Sequence, residues 1–135
     1  MTLWTATDAA MCAAQALRDE PTRRSSGFRC VLQLLDDYTR AVRDGGLSVG
    51  AALLQDAPPA TGDSGVDAAI AALAEYLARR DGWQPPPWAF EERRYAQPWW
   101  FVSGVRAWHA IALVESPLAF RKRGVFLTSS ALERV

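Results

Sequence analysis

The chain lacks any hydrophobic run approaching the roughly 18–20 residues that cross a bilayer, so no membrane-spanning helix is expected. It also lacks net charge, with fifteen Lys and Arg set against fifteen Asp and Glu. Residues 1–80 carry eight basic and ten acidic side chains, and residues 81–135 carry seven and five. A phosphate-binding face normally shows a clear basic excess, so duplex DNA is not an expected partner. Cysteine is scarce: Cys12 and Cys30 are too few for a disulfide framework and are not spaced as a CxxC pair. Each reads as a small buried apolar residue. Met1-Thr2-Leu3-Trp4 lacks the charged-then-apolar pattern of a secretory signal, and the expectation is a reduced, cytoplasmic protein.

Catalytic and cofactor motifs are missing too. His109 is the only histidine, and one histidine cannot make a typical zinc site. As a general base it has no evident partner in the sequence. Asp36-Asp37 and Glu91-Glu92 are paired only along the chain; adjacent helix positions point about 100° apart and form no dyad. There is no Gly-x-Ser-x-Gly elbow and no Gly-x-Gly-x-x-Gly or Gly-Lys-Ser/Thr loop. No catalytic residue, metal or cofactor is therefore expected, and nothing at residue level supports an enzyme.

What the chain does have is tryptophan in one place. Ten of its fourteen aromatic residues lie between Trp83 and Phe126, and five of six tryptophans lie between Trp83 and Trp108. A tryptophan face wants burial or a ligand, and its indole N–H wants an acceptor. The crowding marks either the dense half of a small core or a binding surface.

The rest of the pattern is helical. Thr5-Ala6-Thr7-Asp8 has the form of a helix start, and the alanine-rich stretch runs to Arg18 before Glu20-Pro21 stops it. Thr22 to Gly27 reads as a polar loop. Phe28, Val31, Leu35, Tyr38 and Val42 recur at spacings of three and four, one stripe of an amphipathic helix closed by Gly45-Gly46. A short helix follows from Ser48, its candidate cap, to Gln55. After a turn-rich connection over 56–65, Ser64 is the candidate cap of a strong helix with a Val66, Ile70, Leu73, Leu77 seam, ending at Asp81-Gly82.

Beyond Gly82 the texture becomes irregular. Pro85-Pro86-Pro87 reads as a stiff polyproline spacer flanked by Trp83 and Trp88, with the two rings expected to stack on the prolines. A helical turn is expected around Glu91–Tyr95, and Pro98–Phe101 is expected to be extended. Val105 to Glu115 reads as a helix whose apolar positions are Val105, Trp108, Ile111 and Ala112. Ser116-Pro117 reads as the start of another helix through Phe120 to Gly124. Val125–Leu127 is extended, and Ser129 or Ser130 caps a last turn to Val135. The fold class is mainly α: one small domain, with residues 1–27 an N-terminal helix and loop, 28–82 a helical half, and 83–135 an aromatic- and proline-rich half packed on it. The stripes at 28–42 and 66–77 should face each other, with Trp108, Phe120 and Phe126 in the same core.

Candidate binding residues follow from the aromatic half. Trp99 and Trp100 are adjacent, so an extended backbone sends them to opposite faces, one inward and one outward. Arg121-Lys122-Arg123, with Arg93, Arg94 and Arg106, are expected to form a basic rim around the tryptophans, the mixture that hot-spot surfaces and stacked single-stranded RNA both favour.

The run Trp99-Trp100-Phe101-Val102-Ser103, the run from Ala112 through Glu115-Ser116-Pro117-Leu118-Ala119-Phe120-Arg121-Lys122-Arg123-Gly124-Val125-Phe126, and the ending Ala131-Leu132-Glu133-Arg134-Val135 resemble a group of uncharacterised actinobacterial proteins. The resemblance extends upstream through Thr61-Gly62-Asp63 and the helix 68–80, and covers roughly residues 28–135. Related segments occur behind helix-turn-helix domains or beside nucleotidyltransferase-like toxins, which implies an antitoxin-like or regulatory role. It transfers no catalytic residue. Residues 1–27 are too short for a helix-turn-helix domain, which argues against direct DNA reading. The expected function is a non-enzymatic interaction module binding a protein partner, a toxin or a second copy of itself as a homodimer. The alternative is a small-ligand or RNA-binding module that uses exposed tryptophans and the nearby arginines.

Overall fold

The computed structural model describes residues 2–20 and 24–133, in which six α-helices and one pair of two-residue strands form a mainly α domain. The expected helix stop at Pro21 and the chain end at Arg134-Val135 lie outside the described residues.

Helix α1 (Ala6–Asp19) begins as its sequence dictates. Thr5 accepts from the Asp8 N–H, and the Asp8 carboxylate accepts from the Thr5 N–H, a reciprocal cap. Its alanines Ala6, Ala9, Ala10 and Ala13 are buried against α2 (Arg24–Gly45). Helix α2 starts earlier than the composition suggests: residues 24–27, expected to be loop, are its first turn. Burial explains the difference, since Gly27 is packed so tightly that a Cβ there would come 3.0 Å from a methyl of Val66. Phe28, Val31, Leu35 and Tyr38 line its inner face as the spacing predicts, with Leu34 beside them.

Helix α3 (Leu47–Ala52) is capped by Gly46, not Ser48, and ends short of Gln55. Helix α4 (Ser64–Asp81) is the centre of the molecule. Its cap is Asp63, whose carboxylate accepts from the Val66 N–H and from the Arg24 guanidinium at 2.9 Å each. Ser64, the expected cap, instead donates to the Gln97 carbonyl, and Asp67 accepts from the Thr61 amide and hydroxyl. The seam Val66, Ile70, Leu73 and Leu77 is buried, and so are Ala68, Ala69, Ala71, Ala72, Ala74 and Ala78 on the other sides. A helix enclosed all round must carry small side chains where its neighbours come close. Those neighbours are α1, α2, the C-terminal helix α6 (Leu118–Arg121) and two 3-10 turns, Pro87–Phe90 and Glu92–Arg94.

The second half wraps α4 with little regular structure. Trp83 and Trp88 are held through their indole N–H groups, Trp83 donating to the Tyr38 hydroxyl at 2.8 Å and Trp88 to the Leu54 carbonyl at 3.0 Å. Strand β1 (Trp100–Phe101) pairs in parallel with β2 (Val125–Phe126), Trp100 opposite Val125 and Phe101 opposite Phe126. Between them stand a 3-10 turn at Arg106–Trp108, helix α5 (His109–Glu115) and α6.

Two further expectations about helix starts change. Ser116 does not cap α6, because its hydroxyl donates backward to the Ala112 carbonyl and it accepts from the Leu127 N–H, so Pro117 takes the cap position. Thr128, not Ser129 or Ser130, precedes the last 3-10 turn, Ser129–Leu132. Phe120 and Phe126 are buried as expected.

Candidate protein-docking surface

The surface is built outward from the two-stranded pairing. Trp100 turns inward: its ring meets Phe28 edge-on at 5.8 Å and presses on Gly65, where a Cβ would sit 2.9 Å from the indole. Trp99 turns outward and is 66% exposed, its ring leaning on Phe126 at 5.1 Å. It covers Gly124, which has φ +77° and leaves room for only 2.8 Å between a Cβ and the indole. The alternation expected of an extended backbone is what separates the two neighbours.

Phe101 then carries the next layer. It stacks on Phe126 at 5.1 Å and on the His109 imidazole at 4.2 Å, with ring planes 15° apart in the second pair. The His109 Nε2–H donates to the Ser103 carbonyl at 3.2 Å. These partners, a phenyl ring and a backbone carbonyl, fix the start of α5 and supply nothing that would activate a base. Among the described residues no group of three metal-ligating side chains is brought together.

Helix α5 is where the sequence expectation fails. Trp108, expected in the core, is 50% exposed, and Val105 and Ile111 on the same apolar stripe are also open to water. Ala112 alone of the four is buried. Leu113 and Val114, on other sides of the helix, are exposed as well, Val114 to 79%. Leu118 at the start of α6 extends the same surface. The reason lies in the available neighbours: α5 packs on β2 and the turn before it, whereas α4 is already covered by α1, α2, α6 and the two 3-10 turns. The signal was present in Ala110-Ile111-Ala112-Leu113-Val114, a helical run with no polar side to give to water.

The cations divide differently. Arg94 and Arg123, expected at a surface rim, are both closed from solvent. Arg123 donates to Glu75 at 2.7 Å and to the carbonyls of Ala119 and Ala89, and its guanidinium lies 5.4 Å from the Phe90 and Tyr95 rings. Arg94 donates to the Pro58 carbonyl at 2.8 Å and sits 5.0 Å over Trp88. Burial lowers its pKa below the usual arginine value, and neighbouring Arg93 adds to the effect. Lys122 is committed to Glu75 at 2.8 Å, and Arg93 reaches the Pro58 carbonyl at 3.3 Å. Arg106 and Arg121 remain exposed. The six cations therefore do not form a common rim: Arg94 and Arg123 are turned inward to the Pro58, Ala89 and Ala119 carbonyls and the Glu75 carboxylate.

Glu75, which carried no signal in the sequence, is the pivot of this arrangement. It is buried in mid-α4 and receives Arg79 at 2.6 Å, Lys122 and Arg123. Burial by itself would raise its pKa, but the hydrogen bonds from Lys122, Arg123 and Arg79 outweigh it and hold the carboxyl at about 2.

A shallow groove of about 220 Å³, lined by Ala14, Leu17, Arg18, Thr61, Gly62 and Asp63, lies between the end of α1 and the loop before α4. No family model, curated protein or solved structure matches the chain. No helix among the described residues is long and apolar enough to cross a membrane.

Proposed function

We propose that the protein is a non-enzymatic interaction module that inserts α5 and its flanks into an apolar groove on a different protein. The observation that carries this reading is the exposure of Trp99, Val105, Trp108, Ile111, Leu113, Val114 and Leu118 within one continuous stretch of chain. A surface helix of a free-standing domain shows water a polar side; one apolar on several sides is stable only when enclosed. A flat contact with a second copy would cover one side of α5 and leave the others wet. The groove beside α1 is too small to take a helix, whose diameter with side chains is about 10–12 Å, so self-insertion has no seat there.

The charge pattern supports a protein over RNA. Single-stranded nucleic acid needs free cations beside its stacking rings. Arg94 and Arg123 are internal, Lys122 is paired with Glu75 and Arg93 is turned to the Pro58 carbonyl, which leaves Arg106 and Arg121 of the six. Regulatory or antitoxin-like restraint of the partner is the form of activity that the C-terminal resemblance implies.

Site-specific photo-crosslinking tests this. A benzophenone side chain at position 114, in cells that make the protein naturally, is expected to trap one discrete partner, whereas the same group at position 43 on α2 is not. No adduct at 114, or the same adducts at both positions, would remove the basis for the proposal. An adduct with a second copy of the chain would replace the heterologous partner by a homodimer.

A further inference from the structure

The thiols of Cys12 on α1 and Cys30 on α2 face each other across the helix pair with their Sγ atoms 2.6 Å apart, and both are free. We propose that these two residues form an oxidation site, a vicinal dithiol that closes to an intramolecular disulfide locking α1 to α2. A covalent S–S bond is about 2.05 Å long, so closure asks for a sulfur movement of only about 0.5 Å. The pair closes the α1–α2 connection, and no other cysteine in the chain competes for either partner.

Accessibility sets the order of events. Cys12 is half-buried and reachable from solvent, whereas Cys30 is buried, 5% exposed, with its Sγ also 3.7 Å from the Ser26 carbonyl. The oxidant is a low-molecular-weight disulfide such as glutathione disulfide. Cys12, as thiolate, attacks one of its sulfurs, forming a mixed disulfide and releasing one thiolate, which takes up a proton. Cys30 then loses its proton to water and attacks the Cys12 sulfur, forming the Cys12–Cys30 bond and expelling the second thiolate. Two S–H bonds and one reagent S–S bond are lost; one protein S–S bond and two reagent S–H bonds are gained. Burial, followed by the hydrogen bond and charge of Cys12, pushes the Cys30 thiol up to about 12.

The test is mass spectrometry on the full chain after incubation with glutathione disulfide, acid quenching and maleimide labelling in denaturant. The expected product has lost two hydrogens, carries no maleimide and yields a linked Cys12–Cys30 peptide. Cys30→Ala is expected to stop at the glutathione adduct on Cys12, and folded Cys12→Ala is expected to resist oxidation at Cys30. Two maleimides on the treated wild-type chain, a persistent glutathione adduct, or a disulfide between two copies would each overturn the proposal. The wild-type measurement decides the matter even where a variant fails to fold, and its result is independent of whether α5 binds a partner.

Discussion

The Glu75 carboxylate and the Arg123 guanidinium meet at 2.7 Å with both side chains closed from water, one in the middle of α4 and the other in the turn that leads into β2. This contact joins the helical half to the aromatic half, because the turn that holds Arg123 also delivers Val125 and Phe126 to pair with Trp100 and Phe101. Arg123 Nε has no hydrogen-bond partner; Nη1 donates to Glu75 and Nη2 to the Ala89 carbonyl. Glu75→Gln keeps the shape and removes the charge, leaving a buried guanidinium uncompensated. A loss of about 3–5 kcal/mol is expected, read by urea unfolding at neutral pH.

The same contact makes the fold sensitive to acid. Glu75 titrates at about 2 when folded, against an ordinary value of 4.5. A depressed carboxyl stabilises the folded state above its unfolded pKa, and that stabilisation is lost as pH falls through the folded value. Stability should therefore decline between pH 4.5 and pH 2, by roughly 3 kcal/mol from this residue. Denaturant midpoints measured across that range should fall steeply for the wild type and much less for Glu75→Gln.

Arg94 provides the contrast. Its Nε and Nη1 make no hydrogen bond; it donates to the Pro58 carbonyl, lies over the Trp88 ring and has the half-exposed Glu91 carboxylate 3.6 Å from Nε. Its carboxylate partner is half-exposed and stays solvated without it, so replacing the desolvated guanidinium at constant volume costs little. Arg94→Met is expected to change stability by no more than about 1 kcal/mol in the same unfolding assay.

Gly124 and Trp99 are coupled. Gly124→Ala forces a side chain at φ +77° and drives its Cβ into the indole. A loss of about 1–2 kcal/mol is expected from the backbone alone. A shift in tryptophan emission should accompany it, absent in Gly104→Ala, where a Cβ meets open space.

Much of the helical half was legible because periodicity reports burial directly. The stripe from Phe28 to Tyr38 and the cap at Thr5 needed no tertiary information. Helix boundaries shifted where a tertiary bond competed for the capping side chain: Ser64 was drawn to Gln97, Ser116 to Ala112 and Leu127. The split of Trp99 from Trp100 followed from strand geometry, yet which one faced inward depended on the position of Phe28 and Gly65. The exposure of Trp108 is not legible, because an apolar stripe says that a helix must bury one side, not that this chain supplies the cover. The burial of Arg94 and Arg123 is hidden for the opposite reason: a charge reads as surface until a buried carboxylate, a carbonyl or a ring is found to receive it.

Substitutions on α5 should separate stability from binding. Val114→Asp alters an exposed position and is expected to leave the unfolding free energy within about 0.5 kcal/mol of wild type. Trp100→Ala opens the core and is expected to cost about 3–5 kcal/mol.

The most direct measurement is the dissociation constant of the partner trapped at position 114, titrated as a purified protein against wild type, Val114→Asp and Arg43→Ala. Anchors in a docking face typically contribute more than 1 kcal/mol, so Val114→Asp is expected to weaken binding at least about tenfold, with Arg43→Ala unchanged. Equal affinity for the wild type and for Val114→Asp would contradict the assignment of α5 as the docking element.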